Sequence, residues 1–166
     1  MIEIHTPLEM LKEAKRRSDE TLRNIPNIEN KTGLSANNRY AIGALGELAF
    51  QKLLDDAGKY YVYEPKQDGK SDQYDFLIRY GNIEYELDVK TGGGTHLPNM
   101  FVPKSQLEAK EYPLYVGCRR NKEKNTVEIW GYTMAFDLHE VPSKIPSLGR
   151  SYRNLKPIQE LLKKLT

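Results

Sequence analysis

One seven-residue stretch constrains this chain more than any other: Tyr85-Glu86-Leu87-Asp88-Val89-Lys90-Thr91. Apolar and charged residues alternate strictly along it, which is the period of a β-strand. Tyr85, Leu87 and Val89 take one face, and Glu86, Asp88 and Lys90 take the other. Two carboxylates and an ammonium on one face are unfavourable if they are buried and idle, because each buried charge must be paired or must hold a metal. An acid and a lysine two positions apart on such a strand suit metal-assisted attack on phosphate. The carboxylate binds a hard cation through oxygen, and the lysine orients or deprotonates the attacking water. A structural charge cluster is the competing reading.

The flanking residues predict a hairpin. Tyr74 to Tyr80 reads as a strand with Phe76, Leu77 and Ile78 as its apolar run, Gly81-Asn82 makes the turn, and Ile83 to Thr91 returns. Asp75 lies six residues before Gly81 and Asp88 six after Asn82, so the two carboxylates are expected to face each other across the hairpin, give or take one register step. A cation between them would remove their repulsion. Gly92-Gly93-Gly94 follows at once and can let a backbone approach a ligand closely, or can serve as a plain connection. No Gly-Lys-Ser or Gly-Lys-Thr follows, which excludes a Walker-type phosphate loop. His96 in this loop is either an assisting group or a solvated side chain.

Upstream, Thr6-Pro7-Leu8-Glu9 has the form of a helix start, with Thr6 as cap, and predicts a helix over 6–24 with Leu8, Leu11 and Leu22 as its apolar stripe. Ile25 to Ala36 reads as loop. A second helix is expected from Asn37 or Asn38 to Asp56, with a wide apolar face from Ala41 to Leu54. Gly43 and Gly46 inside it each cost about 1 kcal/mol against alanine, so something is expected to pack close to them. Glu47 is a rim carboxylate, an intrahelical partner for a neighbouring base, or a group reaching over the sheet towards the metal site. Tyr60 to Glu64 is a further strand, and Pro65 to Gln73 a polar turn. Downstream, Pro103 to Lys110 predicts a short helix, Pro113 to Arg120 a strand with Arg119 and Arg120 emerging at its end, and Thr126 to Met134 the last strand. Ala135 to Asn154 reads as loop, and Leu155 to Leu165 as a basic amphipathic helix capping the fold.

With 166 residues and no visible boundary, the chain is expected to form one domain: the N-terminal helix, a core over about 38–134 and a C-terminal loop and helix over 135–166. A net charge of +2 gives no whole-molecule case for nucleic acid, so any such case rests on local patches. One cysteine and three scattered histidines argue against a disulfide or a structural zinc site. No apolar run approaches the roughly 20 residues of a membrane span, and no signal-peptide core is seen. A soluble, cytoplasmic protein with no membrane partner is the expectation.

The order of helix with Glu47, strand with Asp75, strand with Asp88-Val89-Lys90, helix with Gln106 and two further strands resembles the PD-(D/E)xK nuclease superfamily. Gly46-Glu47-Leu48-Ala49-Phe50 and Ile129-Trp130-Gly131-Tyr132 are similar to small members from archaea, phages and mobile elements. The resemblance spans roughly 38–134. It implies the restriction-endonuclease-like α/β fold, a mixed central sheet flanked by helices. It also implies a Mg²⁺-dependent endonuclease or exonuclease hydrolysing DNA phosphodiester bonds, with Mn²⁺ able to substitute. Asp75 would hold the principal metal, and Asp88 would be the second ligand together with the Val89 carbonyl. Lys90 would position and help activate water, Glu47 would bind or orient a second metal, and Gln106 would touch phosphate or a metal's water at the rim. Tyr74 stands where the pattern has proline. Glu86 competes with Asp88, which is preferred because the pattern sets the acid two residues before the lysine; Asp72 is a weaker rival to Asp75. Lys104, Ser105, Lys70 and Arg119 are candidate nucleic-acid contacts, with Lys66, Arg120 and Lys122 behind them. A homodimer is compatible with this fold. The alternatives are a non-catalytic nucleic-acid-binding or assembly module of the same fold, and a protein-interaction domain whose charges coincide by chance.

Overall fold

The structure is a computed structural model that describes residues 1–24, 36–64 and 76–166. Asp75, its rival Asp72, Tyr74, Lys66 and Lys70 lie outside these residues, as do almost all of the loop expected over 25–36 and the turn expected over 65–73. In chain order the described elements are β1 (Ile2–His5), α1 (Leu8–Asn24), α2 (Ala36–Asp56), β2 (Tyr61–Tyr63), β3 (Phe76–Tyr80), β4 (Ile83–Gly92), β5 (Asn99–Pro103) and α3 (Lys104–Ala109). They continue with β6 (Leu114–Asn121), β7 (Thr126–Met134), β8 (His139–Glu140), β9 (Ser147–Ser151), β10 (Lys156–Pro157) and α4 (Ile158–Lys164).

Six of these strands run in the order β1-β7-β6-β4-β3-β2, and β10 shares the edge of β7 with β1. β1 covers Thr126–Ile129 of β7, and β10 covers Gly131 and Tyr132. Only β4 and β6 run parallel in this sheet, joined by a crossover that contains α3, and every other pairing is antiparallel. The result is a mixed central sheet flanked by helices, with α2, β3, β4, α3, β6 and β7 in the order expected from the resemblance.

The hairpin forms as the turn chemistry predicts. Gly81 sits at φ 59°, a left-handed conformation glycine adopts without strain. Phe76 pairs with Leu87 and Tyr80 with Ile83. The described pairing therefore stops one step short of the pair expected between Asp75 and Asp88.

One core lies between the sheet and α1, α2 and α4, where Phe50, Leu54, Phe76, Leu87, Val116, Ile129 and Ile158 are buried. Leu87 and Val89 point into this core, as the alternation requires. A second core on the opposite face gathers Met100, Val102, Tyr112, Tyr115, Tyr152 and Leu155.

Several expectations need correction. Thr6 does not cap α1: its hydroxyl donates to the Asn125 carbonyl at 2.8 Å and accepts from Arg120 Nη1 at 2.8 Å, tying the chain start to the β6–β7 turn. Ile2–His5 forms an edge strand beside β7. The buried stripe of α1 uses small residues, Ala14 and Ser18, whereas Leu8 is exposed. The span 135–154 is not loop throughout, because β9 pairs with both β5 and β8 in a second, three-stranded sheet. The C-terminal helix starts only at Ile158, since Lys156 and Pro157 are taken into the main sheet. No helix among the described residues is long and apolar enough to cross a membrane.

Candidate functional site

β4 lies in the middle of the sheet, hydrogen-bonded to β3 on one side and to β6 on the other. Its apolar side chains anchor it in the first core, so Glu86, Asp88 and Lys90 must take the opposite face, towards α3. Asp88 lies opposite Tyr115 and Lys90 opposite Gly117 on β6. Lys90 Nζ forms an ion pair with Asp88 Oδ2, and the two side chains retain 17% and 2% exposure. A carboxylate this deep is tolerable because an ammonium stands beside it. Tyr115 adds a neutral wall. Burial, with a further push from Asp88, raises its phenol to about 12, and its oxygen accepts a hydrogen bond from the Tyr112 amide at 3.1 Å.

Glu86 does not share this environment. It is 35% exposed and ion-paired with Lys110 at 2.9 Å. Of the two acids on this face, Asp88 is therefore the one buried against the lysine.

Asp88, Lys90, Ser105, Gln106 and Lys110 line a cavity of about 190 Å³. Ser105 and Gln106 stand on α3, immediately after β5, and both are exposed at its rim. Lys90 and Gln106 also line a second, larger cleft. Lys104 turns to Glu140 at 2.7 Å.

Glu47 sits on α2, one residue after Gly46, and has its own partners. Tyr63 Oη donates to Glu47 Oε2 at 2.7 Å, and Arg17 Nη1 is 4.0 Å from the same oxygen. Arg17 also donates to Tyr63 Oη at 2.7 Å and lies over its ring. The carboxylate is thus held between a phenol and a guanidinium in the layer of α1, α2 and β2. Neither partner carries a sequence signal, since both are brought in by tertiary packing.

Arg119 and Arg120 do not emerge from the sheet. Arg119 is bonded to Glu128 Oε2 at 2.9 Å and donates to the carbonyls of Thr95 and Leu97 at 2.8 and 3.0 Å. Its guanidinium lies over the Trp130 and Tyr152 rings. It therefore fixes the loop that follows Lys90. Burial alone would raise the Glu128 carboxyl, but hydrogen bonds from Trp130, Asn121 and Arg119 outweigh it and hold the carboxyl below its ordinary value. Arg120 is buried against Thr6, Asn125 and the Thr126 carbonyl.

The donors beside Lys90 are hard oxygens: the Asp88 carboxylate, the Val89 carbonyl and the Gln106 amide. They suit Mg²⁺ or Mn²⁺ in kind. Among the described residues no group of three or more His, Cys, Asp and Glu side chains gathers as a metal cluster. The described part of the chain therefore supplies one buried carboxylate towards such a site.

No protein-family model matches this sequence, and no curated protein matches it. Among solved structures the chain is similar to Archaeoglobus fulgidus Hjc, a Holliday junction resolvase from an archaeal hyperthermophile, at 11% identity and a TM-score of 0.48, covering 75% of this chain and 98% of that one.

Proposed function

We propose that this chain is a divalent-metal-dependent deoxyribonuclease that hydrolyses DNA phosphodiester bonds at the Asp88–Lys90 pair. The observation that carries this reading is the pair itself: a carboxylate only 2% exposed, set against an ammonium on the central strand, with both lining a cavity. A structural ion pair has no need of a cavity. A reacting pair needs one, to admit phosphate.

In this reading Asp88 and the Val89 carbonyl would hold Mg²⁺, together with Asp75, and Glu47 would bind or orient a second ion. The bound ion would supply Lewis acidity towards phosphate and a water of lowered pKa. Asp88 fixes the Lys90 ammonium by charge. Lys90 in turn directs its remaining donors at the phosphate oxygen where negative charge grows as the attacking water adds and the ester bond breaks. The Gln106 amide, at the rim, orients the incoming phosphate or water, with Ser105 beside it. Because the pair is buried, each of these interactions acts with little screening by water. The product is a nicked or cleaved DNA strand.

The test is cleavage of labelled single-stranded, duplex and branched DNA with Mg²⁺ or Mn²⁺. Lys90→Ala and Asp88→Asn are expected to lower cleavage by about 100-fold or more with the circular dichroism of the fold retained, and a chelator is expected to abolish it. Calorimetric metal titration should show weaker Mn²⁺ binding in Asp88→Asn. A wild-type protein that leaves every DNA form intact with either metal overturns the enzyme reading.

A further inference from the structure

Lys90 faces two spaces. One is the small cavity it shares with Asp88; the other is a cleft of about 740 Å³ between the first turns of α2, the glycine loop after β4, β5 and residues 142–145. That volume is in the range of about 300–1,000 Å³ usual for ligand clefts. Its composition is selective. Arg39, Lys90 and Lys144 are among its walls, and among the described residues no Asp or Glu lines it. An anionic ligand is therefore favoured.

The walls also carry aromatic rings outside the core clusters of the described residues. Along β5, Met100 and Val102 are buried in the second core, while Phe101 alternates to the other side and lines the cleft half-buried. Tyr40 lines it from α2. Among the described residues neither ring belongs to either core cluster. For a nuclease, the part of the substrate that is both anionic and able to stack on aromatic faces is a nucleotide whose base is not paired. In a duplex the ring faces are hidden by stacking, and a concave wall meets mainly sugar and phosphate.

We propose that this cleft takes up an unpaired stretch of the DNA strand, with a base stacked on Phe101 or Tyr40, the backbone neutralised by Arg39 and Lys144, and the adjoining phosphate delivered to Lys90. The inference rests on the nuclease reading for the identity of its ligand and narrows that reading to substrates with an unpaired segment, such as single strands, flaps and ends. Base–aromatic stacking of this kind tolerates any sequence, so recognition is of strand form and not of base identity.

Binding in the presence of EDTA separates the cleft from the chemistry. Fluorescence anisotropy would compare a fluorescein-labelled oligodeoxynucleotide as a single strand and as a blunt duplex of the same length. The wild type is expected to prefer the single strand by at least about tenfold. Phe101→Leu and Tyr40→Leu, which keep apolar bulk but remove the ring, should each reduce that preference about tenfold. Equal affinity for the two forms, or a preference that both substitutions leave intact, overturns the proposal. A ring-dependent preference for single strands in a protein that cleaves no DNA with Mg²⁺ supports the cleft and overturns the nuclease reading. Mg²⁺-dependent cleavage that needs Lys90 but proceeds equally on blunt duplex and single strand does the reverse.

Discussion

Two glycines three residues apart on α2 should respond to alanine with opposite signs. Among the described residues a Cβ at Gly43 would meet nothing within 4 Å, whereas at Gly46 it would overlap Thr91 Oγ1 and stand 3.0 and 3.2 Å from Thr91 Cβ and Cγ2. Both positions gain the same helix propensity from alanine, up to about 1 kcal/mol, so the difference between them isolates the contact with β4. Gly43→Ala is expected to stabilise by about 0.5–1 kcal/mol. Gly46→Ala adds an overpacking penalty of about 1–3 kcal/mol and should destabilise by about 1–2 kcal/mol after the propensity gain is subtracted. Turning the Thr91 hydroxyl aside cannot remove the clash, because Cβ and Cγ2 are close as well. Thr91→Ala deletes Oγ1 and Cγ2, and Oγ1 is buried without a hydrogen-bond partner among the described residues, so that deletion breaks no hydrogen bond. Added to Gly46→Ala, it should recover at least half of the loss. Urea unfolding of the four variants and a double-mutant cycle measure this. A Gly46→Ala variant as stable as Gly43→Ala, or a cycle with no coupling to Thr91, would refute the close packing of α2 on β4.

Removing the Arg119 guanidinium leaves Glu128 buried without its cation, so Arg119→Met should destabilise by about 3–5 kcal/mol, and adding Glu128→Gln should restore part of it; equal stability of Arg119→Met and wild type in urea would refute the network. The Glu128 carboxyl is held below its ordinary value in the fold, so its contribution is complete above the unfolded value of about 4.3 and is lost as pH falls through the folded one. Glu13, hydrogen-bonded by Arg16 and then Arg17, is lowered to about 2 and acts in the same direction. Urea midpoints measured from pH 7 down to 3 should therefore fall more steeply in wild type than in Glu128→Gln, and parallel curves would contradict the assignment.

What could be read from the sequence was whatever local chemistry decides. The alternation in 85–91 and the Gly81-Asn82 turn specified β3 and β4 as a hairpin and the face that carries Asp88 and Lys90. The apolar face of 41–54 specified α2, and Gly46 announced a close neighbour. Gly43 carried the same signal without the neighbour. The rest depended on distant partners. Thr6 looked like a helix cap because the residues around it have that form, yet Asn125 and Arg120 compete for its hydroxyl and win. Residues 135–154 show no clear alternation, since β8 and β9 are short and find their partner in β5. Arg119 looked like a surface charge because nothing local reveals Glu128, Trp130 and two loop carbonyls waiting for it. Glu47 was legible as a notable carboxylate on a tightly packed helix, but its hold by Tyr63 and Arg17 was not.

The parallel crossover from β4 through α3 to β6 has a consequence for how such a protein can diversify. The acid and the amine ride on an inner strand paired on both sides, where even a one-residue slip would turn both into the opposite core. The walls of the adjoining cleft are supplied instead by peripheral pieces: β5, the 142–145 connection and the tip of α2. Residues there can be exchanged, lengthened or reshaped while the inner strand keeps its register, so on the proposed function selectivity is free to drift while Asp88 and Lys90 stay where they are.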